Sequence, residues 1–218
     1  MKLYNSPGSP NALRTRAVAY ELGFDPEIVN VNIANGDNRK PDFLAINPNG
    51  KVPVLVDGAV VVWESRAINA YLAALKPERN LNPADPVKRA TIDQWNYWQA
   101  IHLGPAMQRV AFERVQKKGF GRGEPDEASI AGELKTIAEL LGILDRALAG
   151  RQWIAGDLSL ADFGLASTFM LRKEARLGVE AFPNVTAWIA RLEATTGWTK
   201  AIATWRELMV ARGILAAA

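Results

Sequence analysis

Apolar positions along the chain follow two rhythms, and the change falls near residue 76. In the first stretch, short alternating runs are interleaved with helical ones. Lys2–Asn5 reads as a strand, and Ser6-Pro7-Gly8-Ser9-Pro10 reads as a tight loop. From Asn11 to Leu22, residues Leu13, Ala17, Val18 and Leu22 recur at helical spacing, with Gly23 placed to end the helix. Ile28, Val29, Val31 and Ile33 predict a second strand over 28–33, and a short helix is predicted over 41–46. Val54–Val56 and Ala59–Trp63 flank Asp57-Gly58, a two-residue hairpin signal. The helix beginning near Ser65 is predicted to bury Ile68, Tyr71, Leu72 and Leu75 on one face. The order is βαβαββα, an α/β domain over residues 1–76.

After a polar, proline-containing linker over 77–87, no strand pattern returns, and 88–218 reads as an all-α helical bundle. Ile92, Trp95, Trp98 and Leu103 mark a helix that Gly104-Pro105 is predicted to interrupt, with Val110, Phe112 and Val115 continuing it. Residues 119–125, rich in glycine and charge, read as a mobile loop. Ile130, Leu134, Ile137, Leu141, Leu144 and Leu148 form a long apolar stripe. Ser159 and Asp162 then make an S-x-x-D capping box, with Ile154 or Leu158 as its hydrophobic staple. Two further helices are predicted, over 184–196 and 198–212.

Composition narrows the chemistry. With 49% hydrophobic and 22% charged residues the chain is an ordinary globular protein. No apolar run approaches the roughly 20 residues of a membrane-spanning helix, and the start lacks the apolar core of a signal peptide, so the expected location is the cytoplasm. Net charge is +3, and residues 1–75 carry seven basic and seven acidic side chains, so no basic stripe suggests nucleic-acid binding. Cysteine is absent, which removes disulfides, thiolate metal sites and a protein cysteine nucleophile. With one histidine and only scattered carboxylates besides, no metal site is expected. Any sulfur chemistry must come with a substrate.

The βαβα order, followed by Asn47-Pro48-Asn49-Gly50-Lys51-Val52-Pro53, a hairpin and Glu64-Ser65-Arg66-Ala67-Ile68, resembles the cytosolic glutathione S-transferases. The similarity extends to the S-x-x-D box and points to a bacterial member of serine-type (theta- or phi-like) or nu-like class. It implies the GST fold: a thioredoxin-like domain that binds glutathione and a helical domain that holds an apolar electrophile. Glutathione has an unperturbed thiol pKa of about 8.5, and the thiolate is its nucleophile.

Within that resemblance, Ser9 takes the place of the activating serine, and Asn11 that of a second donor to sulfur. Taken by itself, Ser9 also reads as a plain helix cap, and Ser6 is a competing hydroxyl. Val52 is implied to pair with the cysteinyl backbone through a cis Val52–Pro53 bond. Ser65, at a helix start, is implied to receive the γ-glutamyl carboxylate, with Glu64 compensating the ammonium. Arg39 and Lys51 are implied for the glycyl carboxylate, and Asn38 stands where phi-like members often have histidine. Trp98 and His102 are implied to line the electrophile pocket, although a lone helical histidine is more often structural.

The reaction implied is transfer of an alkyl or aryl group to the glutathione thiolate, with glutathione as co-substrate and no metal. The alternatives are a glutathione-dependent peroxidase or disulfide reductase, and a non-catalytic binding or stress protein on the same scaffold. Absence of cysteine weighs against omega-like thiol transfer, and the zeta-like isomerase signature is missing. The resemblance also implies a homodimer, with no nucleic-acid or membrane partner.

Overall fold

A computed structural model describes residues 1–117 and 121–211. Two compact units divide the chain: Met1–Asn82 together with Thr195–Ala211, and Pro83–Ala194. The first holds β1 (Lys2–Asn5), α1 (Pro10–Glu21), β2 (Glu27–Asn30), α2 (Pro41–Ile46), β3 (Val54–Asp57), β4 (Val60–Trp63) and α3 (Ser65–Leu75). Its sheet runs β2-β1-β3-β4, with β1 and β2 parallel and the other pairs antiparallel.

Side-chain alternation builds the layers. Leu3 and its cross-strand partner Leu55 are fully buried on one face. On the other face Tyr4 and Val54 meet Phe43 of α2, in a cluster with Val31, Ile46 and Val52. Tyr4 and Phe43 stack edge to face at 6.0 Å. Helix α1 is buried from Ala12 through Ala19, and it packs on α3 and on the last helix, α9 (Thr196–Ala211). Small residues permit that approach: a side chain on Gly197 would strike the Ala17 carbonyl. The Gly197 amide instead donates to Glu21 Oε2 at 2.6 Å, a carboxylate at a helix N-terminus.

In the second unit, α4 (Pro86–Trp98), α5 (Gly104–Ala111), α6 (Glu127–Leu148), α7 (Leu160–Ala166) and α8 (Pro183–Glu193) pack as α4 on α7, α5 on α6 and α6 on α8. Asp162 closes the predicted capping box: Ser159 N and Oγ donate to its Oδ2, while Ile154 N and Trp188 Nε1 donate to its Oδ1. Phe169 and Trp188 meet edge to face at 5.8 Å beside this network.

Several expectations need correction. Gly104-Pro105 does not interrupt the helix. Residues 99–103 widen into a π-helical turn in which Gly104 N donates to Gln99 O, so the helix passes a residue that has no N–H to give. The hairpin turn is Gly58-Ala59 rather than Asp57-Gly58, because Asp57 pairs with Val60. Only Gly58 takes a positive φ, as a glycine-first two-residue turn requires. The second strand stops at Asn30, and Ile33 is exposed. On α3, Ile68 and Leu72 are buried but Leu75 is exposed, and Tyr71 is half-buried with its hydroxyl donating to Asp57.

The helix predicted over 198–212 does not join the helical bundle of 88–218. As α9 it covers α1 in the first unit, with Trp198, Ala201, Trp205 and Met209 buried. Arg212 and the Gly119-Phe120 part of the predicted mobile loop lie outside the described residues.

Candidate functional site

Strand register gathers the predicted motifs of the first unit at one edge of the sheet. Because β1 and β3 are antiparallel with Tyr4 opposite Val54, the loop leaving β1 toward Ser9 lies where Val52–Pro53 enters β3. Val54 also lies opposite Trp63, so β4 delivers Glu64-Ser65 to that edge. Parallel pairing of Asn5 with Asn30 brings the segment after β2 to the same side.

Ser9 is the N-cap of α1. Its extended backbone (φ −86°, ψ 119°) lets Oγ accept from Ala12 N at 3.3 Å. A hydroxyl has one proton and two lone pairs, so capping spends a lone pair and leaves the proton to donate. The cap reading and the activating reading are therefore compatible. Ser6 is more buried than Ser9, and its carbonyl accepts from Ser9 N at 2.9 Å. Asn11, the second residue of α1, is exposed beside this corner.

The Val52–Pro53 peptide bond is cis. Both ladders of β3 begin at Val54, so Val52 lies beyond strand pairing. The preceding turn is braced by Asn47, whose Nδ2 donates to Lys51 O at 2.7 Å and whose Oδ1 accepts from Asn49 N at 3.0 Å. Asn38 is a buried brace, its Nδ2 donating to Gly50 O at 2.7 Å. At Gly50 (φ 61°) a Cβ would sit 2.9 Å from Asn38 O and 3.0 Å from Arg39 Nη1, so the bare backbone lets the Arg39 guanidinium lie over the turn beside Lys51. Both cations are exposed. Lys40, in contrast, pairs with Asp37 at 2.7 Å, and that hydrogen bond raises its pKa.

Ser65 opens α3, and Glu64 before it is exposed with φ 71° and ψ 115°, a strained conformation for a residue with a side chain. The Ser65 hydroxyl accepts a 3.0 Å hydrogen bond from Arg14 Nη1. Arg14 was not among the residues singled out from the sequence. The available signal was weak: Arg14 stands with Thr15 and Arg16 between the apolar positions Leu13 and Ala17 of α1. Burial pushes its pKa well down, and the nearby Arg66 charge adds to that.

In the second unit Trp98 ends α4, half-buried and edge to face with Trp95 at 5.2 Å. His102 is exposed on the π-helical turn. Among the described residues no group of three or more His, Cys, Asp or Glu is placed to hold a metal ion, and no helix is long and apolar enough to cross a membrane.

Residues 1–74 match the family profile described as glutathione S-transferase, N-terminal domain, and residues 99–195 match glutathione S-transferase, C-terminal domain. Glutathione S-transferase 3 of Zea mays is 35% identical over 209 residues, covering 93% of each protein. Among solved structures, a theta class glutathione S-transferase from Xanthomonas axonopodis pv. citri with glutathione bound superposes with a TM-score of 0.84 at 32% identity, covering 92% of this chain and 96% of that one. Glutathione S-transferase I from maize, in complex with an atrazine glutathione conjugate, superposes with a TM-score of 0.87 at 29% identity, covering 94% and 97%. With both domain profiles matched in order and a relative this similar over nearly its whole length, the chain belongs to the glutathione S-transferase family.

Proposed function

We propose that this protein conjugates glutathione to an apolar electrophile, with residues 1–76 holding the tripeptide and Ser9 activating its thiol. The observation that carries the reading is the gathering of Ser9, Val52–Pro53 and Glu64-Ser65 at one sheet edge by strand register. In this reading Ser65 and the first amides of α3 receive the γ-glutamyl carboxylate, and Glu64 faces the ammonium. Val52 pairs with the cysteinyl backbone, and Arg39 and Lys51 take the glycyl carboxylate.

Activation is a matter of a few kcal/mol. Lowering a thiol pKa from about 8.5 by two units takes roughly 2.7 kcal/mol of preference for the thiolate. A hydroxyl donating to an anion contributes about 1.5 to 3 kcal/mol, and a helix N-terminus adds about 0.3 to 1. In this reading the Ser9 proton, left over from capping, supplies the first, and α1 the second, with Asn11 giving a further bond. The sulfur lone pair then forms a carbon–sulfur bond, and the displaced group leaves with its electron pair. Trp98 and His102 are the residues assigned to the electrophile. The same reading makes the protein a cytoplasmic homodimer. The exposed Val60, Val61 and Trp63 of β4 favour the dimer, being 41–43% accessible in the single chain.

The test is the ultraviolet difference spectrum of bound glutathione titrated across pH. A thiolate band at neutral pH that moves to higher pH in Ser9→Ala is the expected result. An unchanged band in that variant transfers the role to Asn11, Ser6 or the backbone, and no binding at millimolar glutathione refutes the function.

A further inference from the structure

Arg14 is 2% exposed and Ser65 5% exposed, and the hydrogen bond between them spans 51 positions of sequence, from the second turn of α1 to the first residue of α3. A guanidinium has five N–H donors and no acceptor. In this bond Ser65 Oγ can only accept. The bond takes one lone pair and keeps the single proton off Arg14, so that proton is left for a group at the N-terminus of α3. An undirected serine hydroxyl, by comparison, can present either a lone pair or a proton to a ligand.

We propose that Arg14 is a positioning residue that occupies a lone pair of Ser65 Oγ and leaves its proton for the ligand, and so sets the preference of this subsite for a carboxylate. The assignment rests on the reading of Ser65 as the γ-glutamyl carboxylate site. Two observations support it besides the bond itself. Arg66 lies close enough to Arg14 to repel it, and an anion arriving at Ser65 relieves that repulsion at Arg14. Burial of the guanidinium also keeps bulk water from screening its field at Ser65. Arg14 does not touch the ligand in this scheme; it acts through the orientation of Ser65 and through charge.

The experiment compares two ligands by titration calorimetry on the full-length protein: glutathione, and γ-aminobutyryl-cysteinyl-glycine, which lacks only the γ-glutamyl carboxylate. The quantity read is the ratio of their dissociation constants. Arg14→Gln places a group that can accept as well as donate against Ser65, and the ratio is expected to fall about tenfold from wild type, the worth of one charge-assisted hydrogen bond. Arg14→Lys, still a cation with donors only, is expected to keep the ratio within about threefold of wild type. Arg14→Met carries the same prediction as Arg14→Gln and replaces it should that variant not fold.

Equal weakening of both ligands in Arg14→Gln or Arg14→Met would overturn the assignment, because a residue that merely supports the fold does not distinguish them. Loss of the ratio in Arg14→Lys would overturn it as well. Failure of the wild-type protein to bind glutathione would instead remove the functional reading on which the assignment stands, so the two failures are told apart by the first titration.

Discussion

Asp162 offers a stability experiment whose size follows from geometry. It is fully buried, and its two oxygens accept four hydrogen bonds, from Ile154 N (3.1 Å), Trp188 Nε1 (2.9 Å), Ser159 N (3.0 Å) and Ser159 Oγ (3.0 Å). In Asp162→Ala the Ser159 hydroxyl can turn to a new partner, but two backbone amides and the indole N–H cannot. Each stranded buried donor costs about 1 to 3 kcal/mol, and three together come to about 3 to 6, allowing for some repair by water in the vacated space. Asp162→Asn keeps an oxygen for Ile154 and Trp188 but sets an NH2 against Ser159 N–H, so about 1 to 3 kcal/mol is expected. The assay is urea unfolding followed by tryptophan fluorescence and circular dichroism. An alanine variant within about 1 kcal/mol of wild type would refute the account.

The pH dependence adds an independent arm. Burial pushes the Asp162 carboxyl up, against the opposing pull of its donors. The folded protein then holds this proton more tightly than the unfolded chain, whose aspartate titrates near about 3.9. The associated stability is fully present below that value and is lost as pH rises through the higher folded pKa. Asp162→Asn does not titrate there. The stability gap between wild type and Asp162→Asn should therefore narrow as pH rises, and a gap that widens would contradict the direction given.

Three other substitutions probe the remaining arguments. Glu64→Gly releases the φ 71° strain while removing the group proposed to face the ammonium, so unfolding free energy should rise by about 1 kcal/mol as glutathione affinity falls in calorimetry. Gly50→Ala drives a Cβ to 2.9 Å from Asn38 O and 3.0 Å from Arg39 Nη1 at a positive φ; thermal unfolding should show a loss of about 1 to 2 kcal/mol, with weaker glutathione binding. Gly164→Ala would put a methyl 2.1 Å from Asn96 Oδ1 between α7 and α4, costing about 1 to 3 kcal/mol in urea unfolding, and replacing Asn96 by alanine in the same chain should recover part of it.

Much of this was legible in the residues because it depends on local rules. The short helix at 41–46 appears with its predicted ends, and the S-x-x-D box and the cis bond at Val52–Pro53 stand where their motifs put them. What escaped depends on tertiary context: a pattern reports that a position is apolar or polar, not what packs on it. Trp198, Ala201 and Trp205 read as a helical stripe equally well against a bundle or against α1. Arg14 reads as polar and hence as outward, although it is buried and donates to Ser65. Pro105 signals a break, yet a five-residue π-helical turn absorbs it. Of the candidate site, the sequence motifs supplied the parts at the sheet edge, and only strand register shows why they meet.

The return of α9 to α1 has a consequence for how the protein is made. Synthesis proceeds from the N-terminus, so β1 through α3 leave the ribosome long before Thr196–Ala211 exist. Until then Ala17 and its neighbours on α1 lack the helix that covers them in the finished protein. The whole of Pro83–Ala194 must emerge in the interval, and a contact of such sequence separation forms late and slowly. The first unit is thus completed only after Pro83–Ala194 has emerged, and a nascent chain stalled before residue 196 presents the face of α1 that α9 covers to chaperones and proteases.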